Sequence, residues 1–520
     1  MRAAAAAQII KQWQRGGHLD LPHVVPVPEC ARILSFCGIS LKTPGVRSAH
    51  NSKMDKTQGN MRAPDAVGLL SQLRGGLLTS EQLVTERLDR LARVQPRING
   101  ATQIFRDQAL AQAALLDREG DRSLPLFGLP CSVKETFGLA GQQVTAGSLR
   151  MPPEAHAQDA EIVRRLKAAG AIVIARSNVP EFAMTGESTN PRYGRTNNPL
   201  DVSRVAGGSS GGEGALVGAS CSVFGVGSDI LGSIRIPAAF CGVVGFKPHS
   251  GAVESRGTWP VVSGNTRNWL ALGPLTRSVR DAQLVYNVIA NQPVADAAGG
   301  RLVTPAGLPL TMQEPCIGAA LSAARSALLE EGYREEQQDF SDTRQLYLNI
   351  PKLILDDFYD DWIRLLSTPQ GGRFSPFREL LAQLLGKPTV DNGLLQWMLI
   401  APIMKTRSKA KIQAIAEGYA SARERYQSLL GADGVMVLPT LGLLAPPHGK
   451  MNRQSLKPGV NGLFTAHTMG NYLDLPAIAI PAWNFKDPAT GLPPSISIMC
   501  APGAEGKLFN AAKRVEAALN

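Results

Sequence analysis

Three residues capable of nucleophilic and acid–base chemistry stand in three separate short motifs. Lys134 ends the apolar run Leu129-Pro130-Cys131-Ser132-Val133-Lys134, Ser209 lies within Gly207-Gly208-Ser209-Ser210-Gly211-Gly212, and Ser233 opens Ser233-Ile234-Arg235-Ile236-Pro237. An amine and two hydroxyls form a set able to cleave an amide, a chemistry that calls for no metal and no cofactor.

The glycine-rich segment has two other readings, and both fit poorly. A flexible linker is flanked by polar sequence, whereas Glu213-Gly214-Ala215-Leu216-Val217-Gly218-Ala219-Ser220 runs straight into an apolar stretch that must pack. A Walker-type phosphate loop requires a lysine before its terminal Ser/Thr, and the dinucleotide fingerprint requires spaced glycines after a strand and a later ribose acid. Neither pattern is present. Glycine lets backbones approach closely, so the loop reads as a device for placing two hydroxyls where side chains would crowd.

Ser228-Asp229-Ile230-Leu231-Gly232-Ser233 follows an apolar run, and Pro237 sits at an early helix position. A serine at a strand-to-helix junction exposes its hydroxyl, and the N–H groups of the tight turn before it converge into an oxyanion hole. Removing one such donor typically costs on the order of 3 kcal/mol of transition-state stabilisation. The alternative is that Ser233 only caps a helix. For Lys134 to act as a base, its pKa must fall about three pH units from ~10.4, which is about 4 kcal/mol. Burial at the end of an apolar strand works in that direction, and Glu135, next in sequence, points to the opposite face.

The run from Gly207 to Pro248, containing GGSSGGEG and then GVGSDILGSIRIPAAFCGVVGFKP, closely resembles the amidase signature family of serine hydrolases, within it the fatty-acid-amide-hydrolase-like branch. The similarity extends from about Met61 to the C-terminus through GLPCSVKETFGLAG around Lys134, Asn178-Val179-Pro180-Glu181-Phe182, Thr196-Asn197-Asn198-Pro199 and Leu475-Pro476-Ala477-Ile478. This resemblance implies an α/β amidase signature fold, a mixed β-sheet sandwiched between layers of α-helices. It implies Ser233 as acyl-accepting nucleophile, Ser209 as bridging hydroxyl on an unusual cis peptide, and Lys134 as the base. The N–H groups of Ile230, Leu231, Gly232 and Ser233 would form the oxyanion hole, with Ser210, Asp229 and Arg235 supporting the loop. One position departs from the family, which usually has two glycines before the nucleophile where this chain has Leu231-Gly232. If φ at 231 is positive, leucine carries strain on the order of 1–2 kcal/mol; if negative, only its bulk matters.

Rival chemistries fare worse. The seven histidines, at 18, 23, 50, 156, 249, 448 and 467, accompany no G-x-S-x-G elbow and read as surface or packing residues. Cys241 stands in an apolar context with no charge to activate a thiolate. Membership of a larger complex, as for the glutaminase component of tRNA-dependent amidotransferases, is the remaining alternative of a different class.

The elements that must position these residues follow regular punctuation. Thr79-Ser80-Glu81-Gln82 reads as a capping box, and Leu83, Val84, Leu88 and Leu91 form a helical stripe ending before Pro96. Asp159 to Ala169 predicts a second helix, followed at once by the strand Ala171 to Ala175. Val223 to Val226, Gly434 to Leu438 and Ala477 to Ile480 read as buried strands, Ser495 to Met499 as a strand with one less apolar face, and Leu508, Ala512, Val515 and Leu519 as a closing amphipathic helix. Between Leu346 and Leu430 the pattern is helical and crowded with apolar residues, a cap on the sheet that also suits lining a pocket for a hydrophobic substrate.

Length and composition agree with a large globular enzyme. Of 520 residues, 44% are hydrophobic and 19% charged, and no apolar stretch reaches the ~20 residues of a membrane span. Residues 1–60, where eight Lys/Arg face three Asp/Glu, supply +5 of the net charge of +11, and the remainder is mildly basic. No basic block or basic-aromatic interleaving suggests a nucleic-acid partner. Seven widely spaced cysteines argue against a disulfide framework and for a reducing, cytoplasmic setting, and Cys30 and Cys37 lack the second pair a zinc site needs. Residues 1–60 read as an N-terminal extension, either disordered or preceding a true start at Met54 or Met61, and 61–520 as the catalytic domain. The substrate is a small-molecule amide, with a hydrophobic acyl or aryl group favoured, and the oligomeric state is open, a homodimer included.

Overall fold

A computed structural model describes residues 64–151, 155–367, 372–451 and 461–520. The reading of residues 1–60 lies outside these. Eleven strands form one sheet: β1 (Ala101–Ile104), β2 (Pro130–Lys134), β3 (Ile172–Ser177), β4 (Phe224–Asp229), β5 (Val244–Lys247), β6 (Ala271–Thr276), β7 (Arg301–Ala306), β8 (Arg334–Asp339), β9 (Gly434–Pro439), β10 (Ala477–Pro481) and β11 (Ser495–Cys500). Their spatial order is β1-β3-β2-β4-β6-β5-β10-β11-β9-β7-β8. The β3-β2-β4 and β9-β7-β8 pairings are parallel and the others antiparallel, so the sheet is mixed, as the resemblance implies.

Alternation along the strands covers both faces. In β9, Val435 and Val437 enter one apolar cluster, with the helices Ala66–Arg74, Ser80–Ile98, Val279–Ile289 and Glu505–Leu519. Met436 and Leu438 enter a second, which contains the helices Thr343–Leu366, Asn392–Met404 and Lys409–Leu430. Successive side chains of a strand point to opposite faces, so a strand buried on both reads as an unbroken apolar run.

One local expectation is corrected. The Ser80–Ile98 helix, opened by the Thr79 capping box, runs through Pro96 rather than ending before it. Proline removes one donor near the end, and Asn99 in the left-handed conformation (φ 45°) closes the helix instead. β11 alternates serine with apolar residues as the sequence suggests, and both of its faces are buried. The hydroxyls of Ser495 and Ser497 bond Thr440 Oγ1 at 2.9 and 2.8 Å, so the polar face is satisfied without water.

Candidate active site

Neighbouring parallel strands deliver the site. β2 carries Lys134 at its C-terminal end, and β4 beside it runs into the turn that presents Ser233 ahead of the helix Arg235–Cys241. Lys134 is fully buried, and its Nζ donates to Ser209 Oγ at 2.7 Å and Ser228 Oγ at 3.0 Å. Burial pushes the Lys134 pKa down to about 7, against the opposing pull of Asp229 and Glu213. Glu213, which bonds Ser132 Oγ, is itself pushed up to about 8 by burial, so at neutral pH it is mostly protonated. At that pKa a large share of the Lys134 amines beside Ser209 is uncharged near neutral pH.

Ser209 follows a cis peptide bond, Gly208–Ser209. The glycine is required there, because a Cβ at 208 would overlap the carbonyl oxygen of Thr185. The loop is tied to the Ser233 turn by Ser210 N–H donating to the Ser233 carbonyl at 3.1 Å. Among the described residues the half-buried Ser233 hydroxyl has no hydrogen-bond partner. Catalytic hydrogen bonds are often long before substrate arrives, and the pairing of Lys134 with Ser209 is already made.

The turn before Ser233 is organised by Asp229. Its Oδ1 accepts from Gly232 N–H at 2.7 Å and its Oδ2 from Ile234 N–H at 3.1 Å. Arg235 forks onto both carboxylate oxygens, Nη2 and Nε each at 3.1 Å. Burial alone would raise the Asp229 pKa, but the Arg235 guanidinium holds it well below the usual carboxylate range. Gly232 N–H, expected in the oxyanion hole, is instead engaged by Asp229. Gly232 has φ of +96°, whereas Leu231 is not among the positive-φ residues. Leucine is therefore unstrained at 231, and only its bulk acts: with Ile230, Met184 and Trp259 it packs against the second apolar cluster.

Two residues escaped sequence reasoning in this shell. Asn471, on the helix Asn461–Tyr472, donates to Asp229 Oδ1 at 2.8 Å and the Trp269 carbonyl at 3.0 Å, and accepts from Arg235 at 2.7 Å. Ser228 holds the second hydroxyl on Lys134. A polar residue directly ahead of Asp229 was visible, but its facing toward Lys134 depends on strand register. Cys241 is buried and its thiol is pushed up by burial, which excludes it as a thiolate. Among the described residues no group of three or more His, Cys, Asp or Glu could hold a metal ion, and no helix is long and apolar enough to cross a membrane.

The mixed sheet thus sets a buried amine and a serine-bearing turn at the ends of adjacent strands. Residues 82–509 match the Amidase family model, and the chain belongs to the amidase signature family. It is an amidase, an enzyme that hydrolyses amides. It is 30% identical over 476 residues to fatty-acid amide hydrolase 2-A of Danio rerio, covering 84% of each chain. It is 29% identical to one component of the glutamyl-tRNA(Gln) amidotransferase of Maridesulfovibrio salexigens, over 86% of this chain and 96% of that one. A solved amidase structure superposes with a TM-score of 0.72 at 26% identity, covering 88% of this chain and 100% of the other.

Proposed function

We propose that the protein hydrolyses amides through a covalent acyl-serine, with Ser233 as nucleophile, Ser209 as proton bridge and Lys134 as base. The observation that carries this reading is the fully buried Lys134 amine bonded to Ser209 at 2.7 Å, its pKa lowered by burial to about 7. Ser233 Oγ attacks the amide carbon while its proton passes to Ser209, whose own proton passes to Lys134. The carbonyl oxygen becomes an oxyanion received by backbone N–H groups of the 230–233 turn. The carbon–nitrogen bond then breaks as the relay returns a proton to the leaving nitrogen, releasing the amine. Water, deprotonated by the same relay, attacks the acyl-serine and frees the acid.

The preferred substrates carry a hydrophobic acyl or aryl group. Ile230 and Leu231 sit beside the nucleophile and pack against the apolar cluster of the 343–430 helices, an environment that favours apolar surface at about 25 cal/mol per Å² buried. The protein works in a reducing compartment, consistent with the unpaired thiols of Cys131, Cys221, Cys241, Cys316 and Cys500.

Labelling with a fluorophosphonate probe tests the nucleophile. The parent should be labelled and Ser233→Ala should not; persistent labelling of the variant rejects the assignment. The likeness to an amidotransferase component favours a second reading, a glutaminase that acts only within a complex. Product release by the purified protein alone distinguishes the two.

A further inference from the structure

Glu213 stands four residues after Ser209, in the first turn of the helix Gly211–Gly218, and is fully buried. Its Oε2 accepts from Ser132 Oγ, which also meets Ser222 Oγ at 3.0 Å just beyond the end of that helix. Ser132 lies on β2 two residues before Lys134, so the two side chains project from the same face of the strand. Ser132 pairs with Gly225 of β4, and a Cβ at 225 would overlap Glu213 Oε2. The carboxyl therefore rests on the backbone of the strand that leads to Ser233. At Gly227, two residues further along β4, a Cβ would overlap Ser210 Oγ.

The glycine-rich loop with its helix is thus joined to β2 at two rungs, Ser209 to Lys134 at 2.7 Å and Glu213 to Ser132. With its pKa pushed up to about 8 by burial, the carboxyl meets Ser132 mostly as the neutral acid at pH 7. Among the described residues its Oε1 is buried without a hydrogen-bond partner, a cost that an apolar side chain in the same space would not carry. Packing alone therefore does not account for a glutamate at 213.

We propose that Glu213 is a positioning residue for the proton relay: by tying the helix Gly211–Gly218 to Ser132 on β2, it holds the Ser209 hydroxyl in register with the Lys134 amine. The inference rests on the reading of Ser209 and Lys134 as the relay. Glu213 acts through the helix and strand that it joins, and it is not itself a carrier of the proton.

Steady-state hydrolysis of octanoyl p-nitroanilide separates this role from packing. Glu213→Met, similar in bulk but unable to bond Ser132, should lower kcat about 10- to 100-fold with KM within about threefold, because a displaced hydroxyl weakens proton transfer rather than substrate binding. Glu213→Gln keeps a polar group on Ser132 and is uncharged like the buried acid, so kcat should stay within about fivefold of the parent. Ser132→Ala removes the same bond from the other side, and combining it with Glu213→Met should slow kcat no more than about twofold beyond the slower single variant. Unchanged kcat in folded Glu213→Met overturns the proposal, as do equal losses in the methionine and glutamine variants or losses that multiply in the double variant. If Glu213→Met does not fold, Ser132→Ala is judged by the same kcat and KM criteria. Ser209→Ala with the kcat of the parent would instead remove the underlying relay. A slowed Ser209→Ala beside an unaltered Glu213→Met would remove only the role of Glu213.

Discussion

Changing the pH between 5 and 9 titrates the amine on which the relay depends. A lysine at its ordinary pKa of 10.5 would be neutral in about one molecule in 3,000 at pH 7. Burial brings Lys134 to about 7, so about half of the molecules carry the free amine at that pH. The ratio is roughly 1,500-fold, about 4 kcal/mol of bias toward the base form. For octanoyl p-nitroanilide, kcat/KM should rise about tenfold per pH unit below pH 6 and level off above about pH 8. Lys134→Arg keeps its charge throughout and should lose at least about 100-fold at every pH. A flat profile, or an arginine variant retaining more than about a tenth of the parent rate, would refute the reasoning. Stability must move consistently. The folded pKa of Lys134 lies below its unfolded value, so between about 7 and 10.5 the unfolded chain binds more protons and stability rises with pH; below 7 the full burial penalty is present. Lys247, buried and pushed down to about 8, adds a slope of the same sign. The diagnostic is therefore the difference between the parent and Lys134→Met, which should lack its share of the slope in urea unfolding followed across this range.

Arg235→Ala should destabilise the protein by about 3–5 kcal/mol in urea unfolding, because it leaves the fully buried Asp229 carboxylate without its counter-charge. Leu231→Gly relieves no backbone strain and should lower stability by about 1–2 kcal/mol through added chain entropy and lost apolar packing. The same variant should reduce the kcat/KM preference for octanoyl over acetyl p-nitroanilide by about 10-fold, the value of one lost apolar contact surface of about 1.4 kcal/mol.

Much of the architecture was legible where one periodicity dominated. Ile162, Val163 and Leu166 mark their helix and are fully buried, and Leu508, Ala512, Val515 and Leu519 do the same at the C-terminus. The short strands around Val226, Leu438 and Ile480 were visible because burial on both faces leaves an unbroken apolar run. Lys134 and Ser209, 75 residues apart, were legible only through their motifs, and their 2.7 Å contact depends on the glycine-rich loop being tied to the Ser233 turn through Ser210 N–H. Asn471 and His467 were not legible as part of the site. Asn471 reaches Arg235 across 236 residues, and no local pattern distinguishes an amide that closes such a network from one facing water. His467 read as a packing residue. It is one, but the backbone it packs against is the turn beside Ser233. Ser495 and Ser497 marked the less apolar face of β11, but sequence alone does not place Thr440 opposite them.

Met436, Leu438, Ala477 and Met499 share their apolar cluster with the helices that pack on Ile230 and Leu231. Those helices are therefore structural members of the domain and not a detachable cover. Stripping away the 343–430 segment would bare half a sheet, an adhesive plane that a folding chain would bury against its neighbours. A change of preference is therefore expected from exchanging single side chains beside Ser233, such as Leu231, with those helices kept in place.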